Sequence, residues 1–390
     1  MRIACLIESL GSGGAERQMS ELAAGLREKG HPVALCYYHG QESVSDFYET
    51  RLKRSGVTVE RLGVTGKLGR IRGARSWLNR VKPDVVQAYL PGSNAIAVLS
   101  GLGGRQWKVV VSERIDPDYG RRGNLRAKAI TRLYRGADWI VANSHSILEA
   151  LVTYMPAYRK KASVIWNCVD LDRFRPRENP KEPARFRFVC VASMNTRKNS
   201  RRLAEALALL KHRSPQPFDL RWVGRYNDQI PDQRNNMAET REIIERSGLG
   251  GEFTFAGEIE NVESEYRQAD AAVLVSTREG LPNTVCEGMA SGLPIVAGAV
   301  ADIPRIVQDG ENGFLCDPWN VSDIARALER CLALSPEERA RFGKASRRFA
   351  EEQFGRSGFI RNYESLYRSL FDGRSDSSMG RTSLTGGFTT

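Results

Sequence analysis

No apolar run in this chain of 390 residues approaches the ~20 positions that a membrane-spanning helix needs. The opening MRIACLIESLGSGG looks like a secretory leader only at first glance. Glu8 interrupts it, and glycines stand where a cleavage region would be, so it reads as a buried first strand. Histidines are few, and His31, His39, His145 and His212 lie far apart without ligand-like spacing, so no metal site is expected. The seven cysteines are odd in number and never form a CxxC pair. That is the usage of a reduced compartment, with the thiols acting as small apolar residues, and a cytoplasmic location is the expectation. Aromatics make up only 8% and are not interleaved with the basic clusters, which speaks against a nucleic-acid partner.

What the chain has in excess is positive charge. Its net +12 points to an anionic membrane surface or a phosphate-bearing substrate, with plain solubility as the bland alternative. Residues 120–136, GRRGNLRAKAITRLYRG, hold six Lys/Arg and no acid. Leu125, Ala129 and Leu133 form an apolar stripe among them, with Ile130 and Tyr134 beside it. A basic amphipathic helix of this kind suits peripheral contact with an anionic membrane or a polyphosphate-linked acceptor; an ordinary solvated helix face is the other reading.

The length favours two domains, and a hydrophobic content of 41% supplies a core for each. Apolar runs alternate with longer amphipathic segments, the pattern of α/β architecture with parallel sheets. In the first half the expected strands are Ile3–Ile7, Val33–Tyr37, Asp84–Gln87, Lys108–Val111, Trp139–Ala142 and Ala162–Trp166. A second series starts at Phe188–Ala192 and continues through Leu220–Val223, Phe253–Phe255, Ala271–Val275, Ile295–Ala297 and Gly313–Cys316. The expected division is therefore a first domain over 1–175, a Pro- and charge-rich linker at 176–186, and a second domain over 187–354. A last helix at 355–372 and a Ser/Thr/Gly-rich, disordered tail at 373–390 complete it.

In open parallel sheets ligands bind at the carboxyl ends of the strands. Two such ends carry suitable residues. After the first strand, Gly11-Ser12-Gly13-Gly14-Ala15-Glu16-Arg17 opens a helix, and glycines there let backbone amides approach a phosphate or sugar. A tight strand–helix turn explains the same glycines. The dinucleotide pattern G-x-G-x-x-G is not met, because Glu16 stands at its sixth position, which disfavours a nicotinamide enzyme. The second place is residues 276–298, STREGLPNTVCEGMASGLPIVAG. Here a strand delivers Glu279 to a turn with Gly280, Leu281 and Pro282. A helix then opens at Asn283 and Thr284 and carries Glu287, and it stops at Gly292, where a left-handed cap costs little. Helix amides beside two carboxylates suit a nucleotide-sugar better than a bare nucleotide.

These segments occur in one order with Trp166-Asn167-Cys168-Val169-Asp170, Phe174-Arg175-Pro176, Arg197-Lys198-Asn199 and Asp309-Gly310-Glu311-Asn312-Gly313. Over about residues 1–370 the chain resembles glycosyltransferase family 4, retaining enzymes of the GT-B architecture. The resemblance implies two Rossmann-like, doubly wound domains facing a central cleft, with the last helix crossing back to the first domain. It implies that Glu287 binds the ribose hydroxyls of a nucleotide, and that Glu279 and the backbone of Gly280–Thr284 lie against the donor sugar and diphosphate. Lys198 matches the family's diphosphate-binding lysine, with Arg197 beside it, and Gly257-Glu258-Ile259 resembles its base-binding loop. Gly13 and Gly14 complete the implied donor contacts.

Two departures stand out. The Gly-Arg that the family places shortly before the lysine is Ala192-Ser193 here, and the strand that often ends in a histidine ends Val111-Ser112-Glu113-Arg114-Ile115-Asp116. Glu113 or Asp116 could position an acceptor hydroxyl and Arg114 could hold an acceptor phosphate; strand-end polarity is the alternative. The resemblance implies transfer of a hexose or N-acetylhexosamine with retention, without cofactor or metal, from a UDP-sugar (GDP second). The expected acceptor is a saccharide, lipid-linked in cell-surface polysaccharide or glycan assembly. A non-catalytic sugar-nucleotide-binding subunit is the alternative that the two departures keep open.

Overall fold

The computed structural model describes residues 1–11, 13–38, 47–114, 125–178 and 185–372. The expected tail at 373–390, most of the linker, Ser12, Ile115, Asp116 and the start of the basic stretch lie outside the described residues. The chain divides into two compact units. One holds Met1–Cys168 together with the residues from Arg356 on, and the other holds Val169–Gly355.

The first unit is built on a parallel sheet of β1 (Ile3–Ile7), β2 (Val33–Tyr37), β3 (Thr58–Arg61), β4 (Val85–Tyr89), β5 (Lys108–Glu113), β6 (Trp139–Ala142) and β7 (Ala162–Val164). Its spatial order is β3-β2-β1-β4-β5-β6-β7. The second unit carries β8 (Phe186–Val191), β9 (Phe218–Val223), β10 (Phe253–Gly257), β11 (Ala271–Leu274), β12 (Ile295–Gly298) and β13 (Gly313–Cys316), ordered β10-β9-β8-β11-β12-β13. Both sheets are doubly wound, and the strand order reverses once in each, at β1/β4 and at β8/β11. Helices on both faces leave the central strands no wet side, which is why they read as unbroken apolar runs: every residue of β1, β2 and β4 is buried.

Several strand ends shift by one or two residues from expectation, β7 for instance stopping at Val164, and two departures have a visible cause. β3, Thr-Val-Glu-Arg, is an edge strand with no buried residue, so it leaves no apolar run to read. β5 runs two residues past Val111, because Ser112 and Glu113 are buried with polar partners instead of breaking the strand. Asn94 donates to the Ser112 carbonyl (2.9 Å) and to the Tyr134 hydroxyl (3.0 Å), and Tyr134 donates to Glu113 Oε2 (2.9 Å). A hydrogen-bonded polar chain of this kind is tolerated in a core.

The terminal helix, Arg356–Ser369, belongs to the first unit. Phe359, Ile360, Tyr363, Leu366 and Tyr367 enter the core cluster that includes Ile3, Leu22 and Leu26. Tyr363 accepts from Tyr89 (2.9 Å), Tyr367 donates to Gln87 Oε1 (2.9 Å), and Arg356 binds Glu21 (2.8 Å) and Glu28 (2.6 Å).

Candidate functional site

In the second unit the residues singled out from the sequence gather at the carboxyl ends of β8 and β11, the two strands at which the order reverses. β8 leads through Ala192–Asn195 to a single turn of 3₁₀ helix, Thr196–Lys198. Asn199 closes that turn with φ +65°, a left-handed conformation that asparagine adopts more readily than most residues. Its side-chain amide donates to the carbonyls of Val275 (2.9 Å) and Pro318 (2.7 Å). The loop after β8 is thereby tied to the loop after β11. A second tie is made by Thr277, whose amide donates to the Arg197 carbonyl at 2.9 Å.

These ties bring Lys198 and Glu279 together. Lys198 Nζ donates to Glu279 Oε1 at 2.5 Å, with both side chains nearly buried at 12% and 8% exposed. A pair this dry is held by mutual need, since either charge alone would be poorly solvated. Arg197 is exposed beside it.

Beyond Gly280 and Leu281, Pro282 is the N-cap of the helix Asn283–Ala290. Proline offers no side-chain oxygen, so no side chain caps the amides that open this helix, and they point toward the space in front of it. Thr284 Oγ1, in the first turn, is buried without a hydrogen-bond partner, an orphan of the sort that marks a ligand position. One turn on, Glu287 is 3% exposed and accepts from the Tyr266 hydroxyl at 3.1 Å. Gly288 is required next to it: a Cβ there would strike the Ala272 side chain, so the helix lies close against β11. Gly292 ends the helical segment with φ +71°, as the cap expectation has it.

Gly257 closes β10, two strands from β8, and its carbonyl accepts from the Gly224 amide at 2.8 Å. With φ +74° it turns the chain toward half-buried Ile259. In place of Gly-Arg stand buried Ala192, whose carbonyl accepts from Trp222 Nε1 at 2.8 Å, and half-buried Ser193.

The remaining residues lie in the first unit. Gly13 is the N-cap of the helix Gly14–Glu28, and Gly14 is its first residue; both are exposed. Glu16 folds its carboxylate back over Gly13 and accepts from Ser9 Oγ at 3.1 Å. Glu113 is 4% exposed, with its carboxylate turned to Tyr134 and to the Arg114 amide. Arg114 packs its guanidinium over the Tyr89 ring at 3.8 Å and donates to Asn167 Oδ1 at 2.6 Å. Both side chains are thus engaged inside the unit. Of the basic stretch, Leu125–Leu133 is a helix. Its inward side is Thr131 with half-buried Ala127 and Ile130, while Leu125 is 80% exposed among Arg126 and Arg132.

Sequence reasoning missed Tyr266 and Asn94, and it placed Tyr134 only beside an apolar stripe. Each acts through a hydrogen bond across more than fifteen residues, which leaves no local pattern. Among the described residues no three His, Cys, Asp or Glu side chains are grouped so as to hold a metal ion, and no helix is long and apolar enough to cross a membrane.

Comparison with known proteins agrees with this geometry. Residues 12–173 match the model of Glycosyltransferase Family 4, and residues 185–333 match that of Glycosyl transferases group 1. EpsD of Bacillus subtilis is 31% identical over 215 residues, covering 52% of this chain and 53% of EpsD. The lipopolysaccharide core biosynthesis glycosyltransferase LpsE of Rhizobium meliloti is 24% identical over 378 residues, 92% of this chain and 96% of LpsE. The chain spans about half the length of several curated relatives that it matches, EpsD among them. The structure of Anabaena HepE in complex with UDP superposes with a TM-score of 0.80 at 19% identity, over 95% of this chain and all of that one. Two doubly wound sheets, a lysine–glutamate pair at one switch point and both family models on the two halves lead to one conclusion: the chain belongs to glycosyltransferase family 4 and has the GT-B fold.

Proposed function

We propose that the chain is a retaining, metal-independent glycosyltransferase that moves a hexose or N-acetylhexosamine from a UDP-sugar to a saccharide acceptor. The observation that carries this reading is the Lys198–Glu279 pair set before the uncapped helix Asn283–Ala290, with Glu287 buried one turn on. In this reading the diphosphate lies against Lys198, Arg197 and the amides of Asn283 and Thr284, where a fixed cation and a helix N-terminus offset its charge. Glu287 accepts from the ribose hydroxyls, and Glu279, steadied by Lys198, accepts from hydroxyls of the donor sugar. Gly257 and Ile259 flank the base.

The bond from the anomeric carbon to the diphosphate oxygen breaks while a bond to the acceptor oxygen forms on the same face. The acceptor proton passes to the departing diphosphate, so the protein needs no covalent nucleophile and no cofactor. Glu113 carries no step here, because its carboxylate is engaged with Tyr134. UDP is preferred to GDP on the likeness to HepE, solved with UDP. A lipid-linked acceptor in cell-surface polysaccharide assembly fits the similarity to LpsE. Contact with the cytoplasmic face of a membrane fits the exposed Leu125 among arginines.

The test is nucleotide release from a panel of UDP- and GDP-sugars, with and without lipid extract, in wild type and Glu287→Ala. Release from a UDP-sugar, raised by lipid and lost in the variant, is the expected result. Thermal stabilisation by UDP with no release from any donor would replace the enzyme with a sugar-nucleotide-binding subunit.

A further inference from the structure

The second unit has a cavity of about 450 Å³ at the opposite, amino-terminal ends of β11 and β12. Ala269 and Asp270, just before β11, and Leu293 and Pro294, just before β12, form its floor, and the helix Pro336–Gln353 forms a wall. This volume is within the range of small-molecule sites. Six cations line it, Arg177, Arg267, Arg339, Lys344, Arg347 and Arg348, against two acids, Asp270 and Glu351.

Part of this charge has structural work. Asp270 is 7% exposed and lies 3.8 Å from Arg177 and 3.7 Å from Arg339. Arg347 binds Glu351 at 2.7 Å and donates to the carbonyls of Leu171, Phe174 and Ala290. Those contacts use up both acids and leave an excess of four cations. Lys344 makes no ion pair among the described residues, and Arg348 has only Glu311, at 4.0 Å. A second, independent feature points the same way. Ser291, 3% exposed, is one of the lining residues, and its buried Oγ has no hydrogen-bond partner. Uncommitted cations around a cavity with an orphaned hydroxyl fit a multiply charged oxyanion better than a sugar or an apolar group.

The same wall touches the residues of the donor reading. Tyr266 lines the cavity, and its hydroxyl donates to Glu287 Oε2 and to the Thr284 carbonyl, both at 3.1 Å. Arg347 holds the Ala290 carbonyl at 2.7 Å, at the far end of the helix that carries Glu287. An anion that reoriented Arg347 or shifted Tyr266 would therefore be felt at both ends of that helix.

We infer that this cavity is a second ligand site, for a soluble molecule bearing a diphosphate or two phosphate groups, and that its occupancy alters nucleotide affinity through Tyr266 and the helix Asn283–Ala290. The site itself stands apart from the proposed donor function; only the coupling rests on it.

The experiment is calorimetric titration of the full chain with inorganic pyrophosphate after saturation with UDP, so that the donor position is already filled. Wild type should bind one pyrophosphate per chain. The exposed double variant K344E/R348E, checked for an unchanged melting temperature, should lose at least about tenfold in affinity. No binding to UDP-loaded wild type, or equal binding by K344E/R348E, overturns the site. A UDP affinity that is the same with and without pyrophosphate overturns the coupling. Sedimentation with phosphatidylglycerol vesicles that K344E/R348E abolishes, without pyrophosphate binding, overturns the soluble ligand in favour of a lipid headgroup. Should UDP itself fail to bind, the donor reading falls, and the same comparison on the unloaded chain still decides the cavity.

Discussion

Glu287→Gln keeps the shape of the side chain and removes its charge, and its consequences can be separated into stability and binding. In the fold the carboxylate accepts a hydrogen bond from Tyr266, and that hydroxyl also reaches the Thr284 carbonyl at 3.1 Å. Tyr266 thus keeps a partner in the variant, and the stability change should stay under about 1 kcal/mol. Binding should suffer more. A hydrogen bond to a charged group contributes about 1.5–3 kcal/mol, so weakening one or two ribose contacts raises the Kd for UDP roughly 10- to 100-fold. Calorimetry with UDP measures this directly. Repeating it with 2′-deoxy-UDP closes a double-mutant cycle: wild type should lose affinity for the deoxy ligand, and Glu287→Gln should lose little more. A variant that binds UDP as wild type does, or an equal deoxy penalty in both proteins, would refute the assignment of Glu287 to the ribose.

Three further outcomes follow from the same structure. Lys198→Met should strand the nearly buried Glu279 and cost on the order of 3 kcal/mol in chemical denaturation; adding Glu279→Gln should restore stability but not donor turnover. The Glu28 carboxyl is held below the usual range by its hydrogen bond from Arg356, and that of Glu364 by Arg368. Folded values below the unfolded ones mean that this stabilisation is present above about pH 4.3 and is lost as pH falls through the folded values. Denaturation at pH 6 and pH 3 should show the loss, smaller in Arg356→Ala, and an equal loss in the variant would count against the clamp. All seven cysteines are free and buried, and burial pushes Cys5, Cys168, Cys190 and Cys316 up to about 12. A thiol reagent such as Ellman's should therefore find none in the native protein and seven after unfolding, and fast reaction of the native chain would contradict the packing.

The sequence by itself determined the elements whose causes are local. Strands buried on both faces by helices must be continuous apolar runs, so β1, β2, β8 and β11 could be read directly, whereas the exposed edge strand β3 could not. The turn at Glu279–Thr284 and the stop at Gly292 were legible for the same reason, since proline fixes the backbone where it stands and glycine alone takes a left-handed cap at little cost. Pairings over long separations were decided only by tertiary structure. Lys198 and Glu279 meet because β8 and β11 are neighbours at a switch point and Asn199 ties their loops together. Tyr266 meets Glu287 because Gly288 lets its helix lie against β11. Glu113 and Arg114, which from the sequence are polar residues at a strand end, are held inside their unit by Tyr134, Tyr89 and Asn167. The basic cavity combines an arginine after Phe174, two strand beginnings and a helix more than forty residues further on, and only the packing of that helix makes them one surface.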